Sequence, residues 1–97
     1  MIKFQLGETV VVTHTVQKKV AGVWEDYDPA TSVNVSVYKD GTATPLISDA
    51  AMSKDSTGNY HYDFQTTGLT TGKYRARVTD TDGTRIVIRD GVFSLEN

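Results

Sequence analysis

The stretch Thr66 to Asp80, TTGLTTGKYRARVTD, sets an apolar anchor, a tight turn and a strongly alternating segment in immediate succession. Tyr74, Ala76 and Val78 recur with period two and so share one face of an extended strand, while Lys73, Arg75, Arg77 and Thr79 share the other. Leu69 is placed to close the end of a core, and Gly72 to take the positive φ of a corner, which a residue without Cβ adopts freely. This is the pattern of a penultimate strand in a β-sandwich.

Outward from that strand the same alternation returns. Ser32 to Lys39, SVNVSVYK, sets Val33, Val35 and Val37 inward and Asn34, Ser36 and Tyr38 outward, and Asp40-Gly41 turns it. Asn59 to Gln65, NYHYDFQ, offers an aromatic inner face of Tyr60, Tyr62 and Phe64, expected to pack across from Tyr74, Ala76 and Val78. Glu8 to Val16 is rich in β-branched residues, with Val10, Val12, His14 and Val16 of one parity. Thr44 to Ser48 holds Pro45, whose missing N–H is harmless only on an edge. Asp49 to Asp55 is expected to return Ala51 and Met52 to the core. Asp82-Gly83 signals a hairpin into Thr84 to Arg89, which Asp90-Gly91 is expected to interrupt before Val92, Phe93 and Leu95. Gln17 to Thr31 is the longest irregular stretch, with room for a short hairpin around Val20 to Trp24. No segment keeps helical periodicity for two turns. The expectation is an all-β chain, an immunoglobulin-like β-sandwich of about seven antiparallel strands, forming a single domain over residues 1–97.

Composition narrows the function classes. The 97 residues contain no cysteine, which removes disulfides, thiolate metal sites and a cysteine nucleophile. Ten Lys and Arg against twelve Asp and Glu give a net charge of −2 with both signs interspersed, so no strong field draws nucleic acid or an anionic membrane. The opening MIKFQLGETVVV lacks the long apolar run of a secretory signal, and no run approaches the roughly 18 residues of a membrane span.

Few side chains carry chemistry. Asp80, Asp82 and Gly83 overlap the opening of a calcium loop, but the later bidentate Glu is missing and Asp-Gly between strands is a turn signal. His14, His61 and Asp63 have metal-ligand chemistry, with Met52 a soft donor, yet these types also serve as solvent-facing strand residues and core filler. No metal or other cofactor is expected. The serines have no glycine-elbow context and the carboxylates sit at turns, so no catalytic residues are assigned and the chain is expected not to be an enzyme. Partner contact is the better use of the remaining residues. Lys73, Arg75 and Arg77, with Arg85 and Arg89 across the hairpin, form a candidate basic patch for an acidic surface, or a solvated face that keeps the sheet from pairing with strangers. Trp24 with Tyr27 in GVWEDYDP is either an anchor for a partner or a plug over Leu69 or Phe93. Tyr38 is the one outward aromatic expected on a regular strand. The partner-binding candidates are thus Trp24, Tyr27, Arg75, Arg77 and Arg89.

Pro29 with Val33, Val35 and Val37, then Met52, Gly58, Tyr60 and Tyr62, then Leu69, Gly72, Tyr74 and Val78, form a series over about residues 28 to 95. The chain resembles, in this series, the cysteine-free immunoglobulin-like modules of bacteria and their phages. A single copy beginning at its own methionine is similar to small phage structural proteins. The resemblance implies a non-enzymatic attachment module of a virion, made in the host cytoplasm, acting as a capsid decoration or head/tail accessory protein. Its implied partners are viral coat or connector subunits, or further copies of itself, with no nucleic acid or membrane. The alternative it implies is a cell-surface adhesion or carbohydrate-binding module of a secreted protein.

Overall fold

The computed structural model describes residues 2–97, and every regular element among them is a strand. In chain order these are β1 (Ile2–Gln5), β2 (Thr9–Thr15), β3 (Gln17–Val20), β4 (Val23–Asp26), β5 (Ser32–Lys39), β6 (Pro45–Ala51), β7 (Ser53–Ser56), β8 (Asn59–Gln65), β9 (Gly72–Asp82) and β10 (Arg85–Glu96). One sheet has the order β1-β10-β9-β5-β6, a second β2-β8-β7, and β3 and β4 form a hairpin of their own. The β1–β10 pair is parallel and all others are antiparallel.

The two larger sheets enclose the core, a β-sandwich-like arrangement. Val33, Val35 and Val37 of β5, Tyr74, Ala76 and Val78 of β9, and Phe93 and Leu95 of β10 form one wall. Val10 of β2 and Tyr60 and Phe64 of β8, with Val16 and Met52, form the other. Phe93 is the hub. It stacks on Tyr74 at 5.7 Å between ring centres and takes the edges of Phe4 and Phe64 at 6.0 and 6.2 Å.

Ten strands replace the seven expected, and the mixed sheet replaces an antiparallel one. Three of the additional strands carry no alternation in the sequence, for one physical reason. Alternation of apolar and polar residues records a strand with one buried face, whereas every residue of β3, β4 and β7 is exposed. Backbone pairing holds β3 to β4, assisted by Gln17 Nε2 donating to Asp26 Oδ1 at 2.8 Å. The short hairpin expected around Val20 to Trp24 is therefore present but longer, from Gln17 to Asp26, and only the rest of the stretch to Thr31 is irregular.

Three smaller expectations also change. Asp90-Gly91 does not interrupt β10, because Gly91 stays in register with Ala76 and Asp90 with Arg77, which bonds its carboxylate. Met52 returns to the core as expected, but Ala51 is exposed and Ala50 faces inward in its place. The parity slips at a bulge where the register jumps from Val35–Ala50 to Val37–Ile47, with Asp49 at φ 49° and its N–H donated to Ser36 Oγ. Tyr62 is only partly buried.

The corner after β8 follows the sequence reading. Leu69 packs on the core, Gly72 has φ 141°, and the Tyr74 hydroxyl donates to the Thr70 carbonyl at 2.7 Å. Nearby, the buried Thr66 hydroxyl donates to the Glu8 carbonyl and accepts the Gly7 N–H. That staple fixes the point where the chain leaves β1 in one sheet and enters β2 in the other.

Candidate binding cleft

The β3–β4 hairpin stands beside the far end of the β9–β10 hairpin, and a cleft of about 190 Å³ lies between them. Its walls include His14 and Lys18 from one side, Trp24 and Tyr27 from the small hairpin and its exit, and Asp80, Asp82, Arg85, Val87 and Arg89 from the long one.

The position of the small hairpin is set by close backbone packing at Gly58. The Gly58 carbonyl accepts the Val16 N–H at 2.8 Å, and the Val16 carbonyl accepts the Tyr27 N–H at 3.1 Å. A Cβ on Gly58 would stand 2.7 Å from the Val16 oxygen and 2.9 Å from the Tyr27 nitrogen, so only glycine fits, and its φ of 78° demands the same. Asp28 then ties the exit of β4 to the second sheet. Its carboxylate accepts from Lys54 Nζ at 2.6 Å, the Gly58 N–H at 2.9 Å and the Tyr60 hydroxyl at 2.8 Å. Those donors, Lys54 foremost, hold its carboxyl down at about 2. Burial, reinforced by the bond to Asp28, pushes the Tyr60 phenol up to about 12.

At the floor of the cleft His14 Nε2 lies 2.9 Å from Asp80 Oδ2, and both side chains are nearly buried, 12% and 8% exposed. Asp80 Oδ1 has no hydrogen-bond partner. Asp82 is occupied structurally, accepting the Ala30 N–H at 3.0 Å and a long bond of 3.4 Å from Tyr27. Burial first, and the charge of Asp82 second, push the Tyr27 phenol up. Lys18 Nζ sits 4.9 Å from the centre of the Tyr27 ring. Among the described residues Lys18, Arg85 and Arg89 pair with no carboxylate. The cleft therefore combines an exposed indole with three cations free to meet an anionic group.

The sequence candidates divide between two surfaces. Trp24, Tyr27 and Arg89 come together in the cleft. Arg75 and Arg77 lie on the outer face of the five-stranded sheet, where Arg75 covers the Tyr38 ring at 5.0 Å and Arg77 makes a two-pronged bond to Asp90 at 2.9 and 3.2 Å. The five-cation patch does not form. Arg85 and Arg89 pair in register with Asp82 and Val78, residues of the inner parity, while Lys73, Arg75 and Arg77 have the outer one. Trp24 is 63% exposed on a regular strand and plugs nothing, so Tyr38 is not the one outward aromatic. The imidazoles do not converge either, since His14 turns inward to Asp80 and His61, on the opposite face of the β2–β8 pair, meets Asp55 Oδ1 at 2.6 Å. The buried His14–Asp80 pair was missed, although parity marks it. His14 continues the inner series of Val10 and Val12, and Asp80 that of Ala76 and Val78.

Compared with family models, curated proteins and solved structures, the chain matches none.

Proposed function

We propose that this chain is a non-enzymatic attachment module with an immunoglobulin-like sandwich, serving a phage particle as a capsid decoration or head/tail accessory protein bound to coat or connector subunits. The observation that carries the attachment reading is Trp24. A large aromatic held 63% exposed on a regular hairpin, beside unpaired cations, contributes little to its own fold and has the composition of an interface anchor. The immunoglobulin-like reading draws support from the Tyr74 hydroxyl bonded back to Thr70, the kind of tyrosine corner found in such sandwiches. The assignment to a virion rests on the sequence resemblance. On a symmetric particle a weak contact per copy is sufficient, because the lattice repeats it.

Quantitative mass spectrometry of purified particles tests this, following the tryptic peptide from Asp55 to Lys73. A ratio near one per coat subunit identifies a decoration protein, and a few copies per particle a connector or tail role. Absence from particles with presence in the cell envelope overturns the virion reading. The cleft itself favours a second reading, a carbohydrate-binding module, since an exposed indole next to cationic and acidic side chains suits stacking and hydrogen bonding of a sugar ring. Quenching of Trp24 fluorescence by an oligosaccharide would separate the two.

A further inference from the structure

β10 is paired on one side only for most of its length. Its register with β9 runs unbroken from Arg85 to Leu95, but β1 covers the other side only from Phe93 to Glu96. Residues 85–92 are therefore an open sheet edge, without proline and without a bulge in the pairing to β9. The Ile88 carbonyl is met by the guanidinium of the adjacent Arg89, at 3.1 Å. The two faces of this edge differ in chemistry. Ile86, Ile88 and Val92 point to the outer face, 61%, 50% and 48% exposed, and Arg85, Val87 and Arg89 line the cleft that Trp24 and Lys18 close from the other side.

We infer that the β10 edge docks an extended acidic segment of a partner protein as an added strand, with carboxylates alternating against Arg85 and Arg89 in the cleft and aliphatic side chains against Ile86 and Ile88 outside. Period-two geometry imposes the alternation, and the unpaired cations choose the sign. Charge also argues against a second copy of this chain as the occupant. In a two-fold antiparallel pairing, opposed residues share parity. A centre at Val87 sets Arg85 against Arg89, a centre at Arg89 opposes Arg89 to itself, and a centre at Ile88 interleaves both arginines of each copy along one face. Every one of these registers masses guanidinium groups on one face, where the carboxylates present, Asp80 and Asp82 of β9, are already engaged by His14, the Ala30 N–H and Tyr27.

This inference rests on the attachment reading and names its partner chemistry. The test uses the whole isotope-labelled chain and a capped octapeptide of alternating glutamate and valine. The peptide should shift the amide signals of residues 86–92, slow their hydrogen exchange and perturb Trp24 fluorescence. N-methylation at every valine, or else at every glutamate, should abolish binding by removing the ladder donors. The double variant Arg85→Glu, Arg89→Glu should lose affinity on the order of tenfold or more and gain binding to the lysine–valine analogue. Absence of shifts in 86–92 at about 1 mM peptide, equal binding of the glutamate and lysine peptides, indifference to both N-methylated forms, or dimerisation of the free protein through β10 would each overturn the inference. Presence on particles without peptide binding removes edge docking alone, and peptide binding by a protein absent from particles removes the virion reading alone.

Discussion

Gly58 is the residue on which the placement of the cleft depends. Its missing Cβ admits the Val16 and Tyr27 backbone, so Gly58→Ala combines a steric conflict with a disfavoured φ. We expect a loss of about 2–4 kcal/mol in urea denaturation. Asp28 carries a pH signature. Its folded-state carboxyl is lowered from 3.8 to about 2, so it stabilises the fold fully above about pH 4, and this contribution disappears as pH falls through 2. In Asp28→Asn the melting temperature is lower at neutral pH, and its decline between pH 4 and pH 2 is shallower, as thermal scans across that range would register. His14 and Asp80 form the buried polar pair of the core. His14→Leu strands the carboxylate and is expected to cost about 1–3 kcal/mol, part of which returns when Asp80→Leu is added. A double-substitution cycle by chemical denaturation measures the coupling. Partial legibility of this pair has a physical basis: parity announces that a side chain points inward, but not which polar group on another sheet will meet it.

Among the elements, β5, β8 and β9 were readable because each buries one face, and their apolar residues alternate in answer to that burial. β3, β4 and β7 bury nothing and depend on backbone pairing, to which the side-chain pattern is silent. The same contrast sets the energetics. Trp24→Ala on the exposed β4 should change stability by no more than about 0.5 kcal/mol, whereas Phe93→Ala on β10, which removes the hub of the aromatic cluster, should cost about 3–5 kcal/mol. Denaturant titration of both variants checks the pair. Comparable losses would mean that Trp24 acts as a core plug after all. The basic patch failed at this scale too, since the cations of β9 and β10 were grouped by their proximity in the chain, while the register of the hairpin sends them to opposite faces.

For the whole molecule, the radius of gyration is 14.4 Å, against about 12.5 Å for a compact chain of this length, and the axes measure 48 × 22 × 20 Å. The elongation fits two hairpins that extend past the aromatic core and flank the cleft, β3–β4 and the far end of β9–β10. Small-angle scattering of the free protein should give an elongated particle with a radius of gyration close to that of the monomer. A substantially larger value that falls on dilution would indicate self-association, the outcome that the unpaired arginines of β10 disfavour.

The sequence by itself determined that this is an all-β chain, which strands face the core and which residues form the corner at Leu69, Gly72 and Tyr74, because burial of one face writes a period of two into the order of residues. It also singled out Trp24, Tyr27 and Arg89. Only the tertiary structure decided that these three share a cleft, that Arg75 and Arg77 do not join them, that His14 finds Asp80, and that β10 is left with an open edge. Each of those facts depends on which strands become neighbours and in what register, and that choice comes from long-range pairing between segments whose local patterns permit several partners.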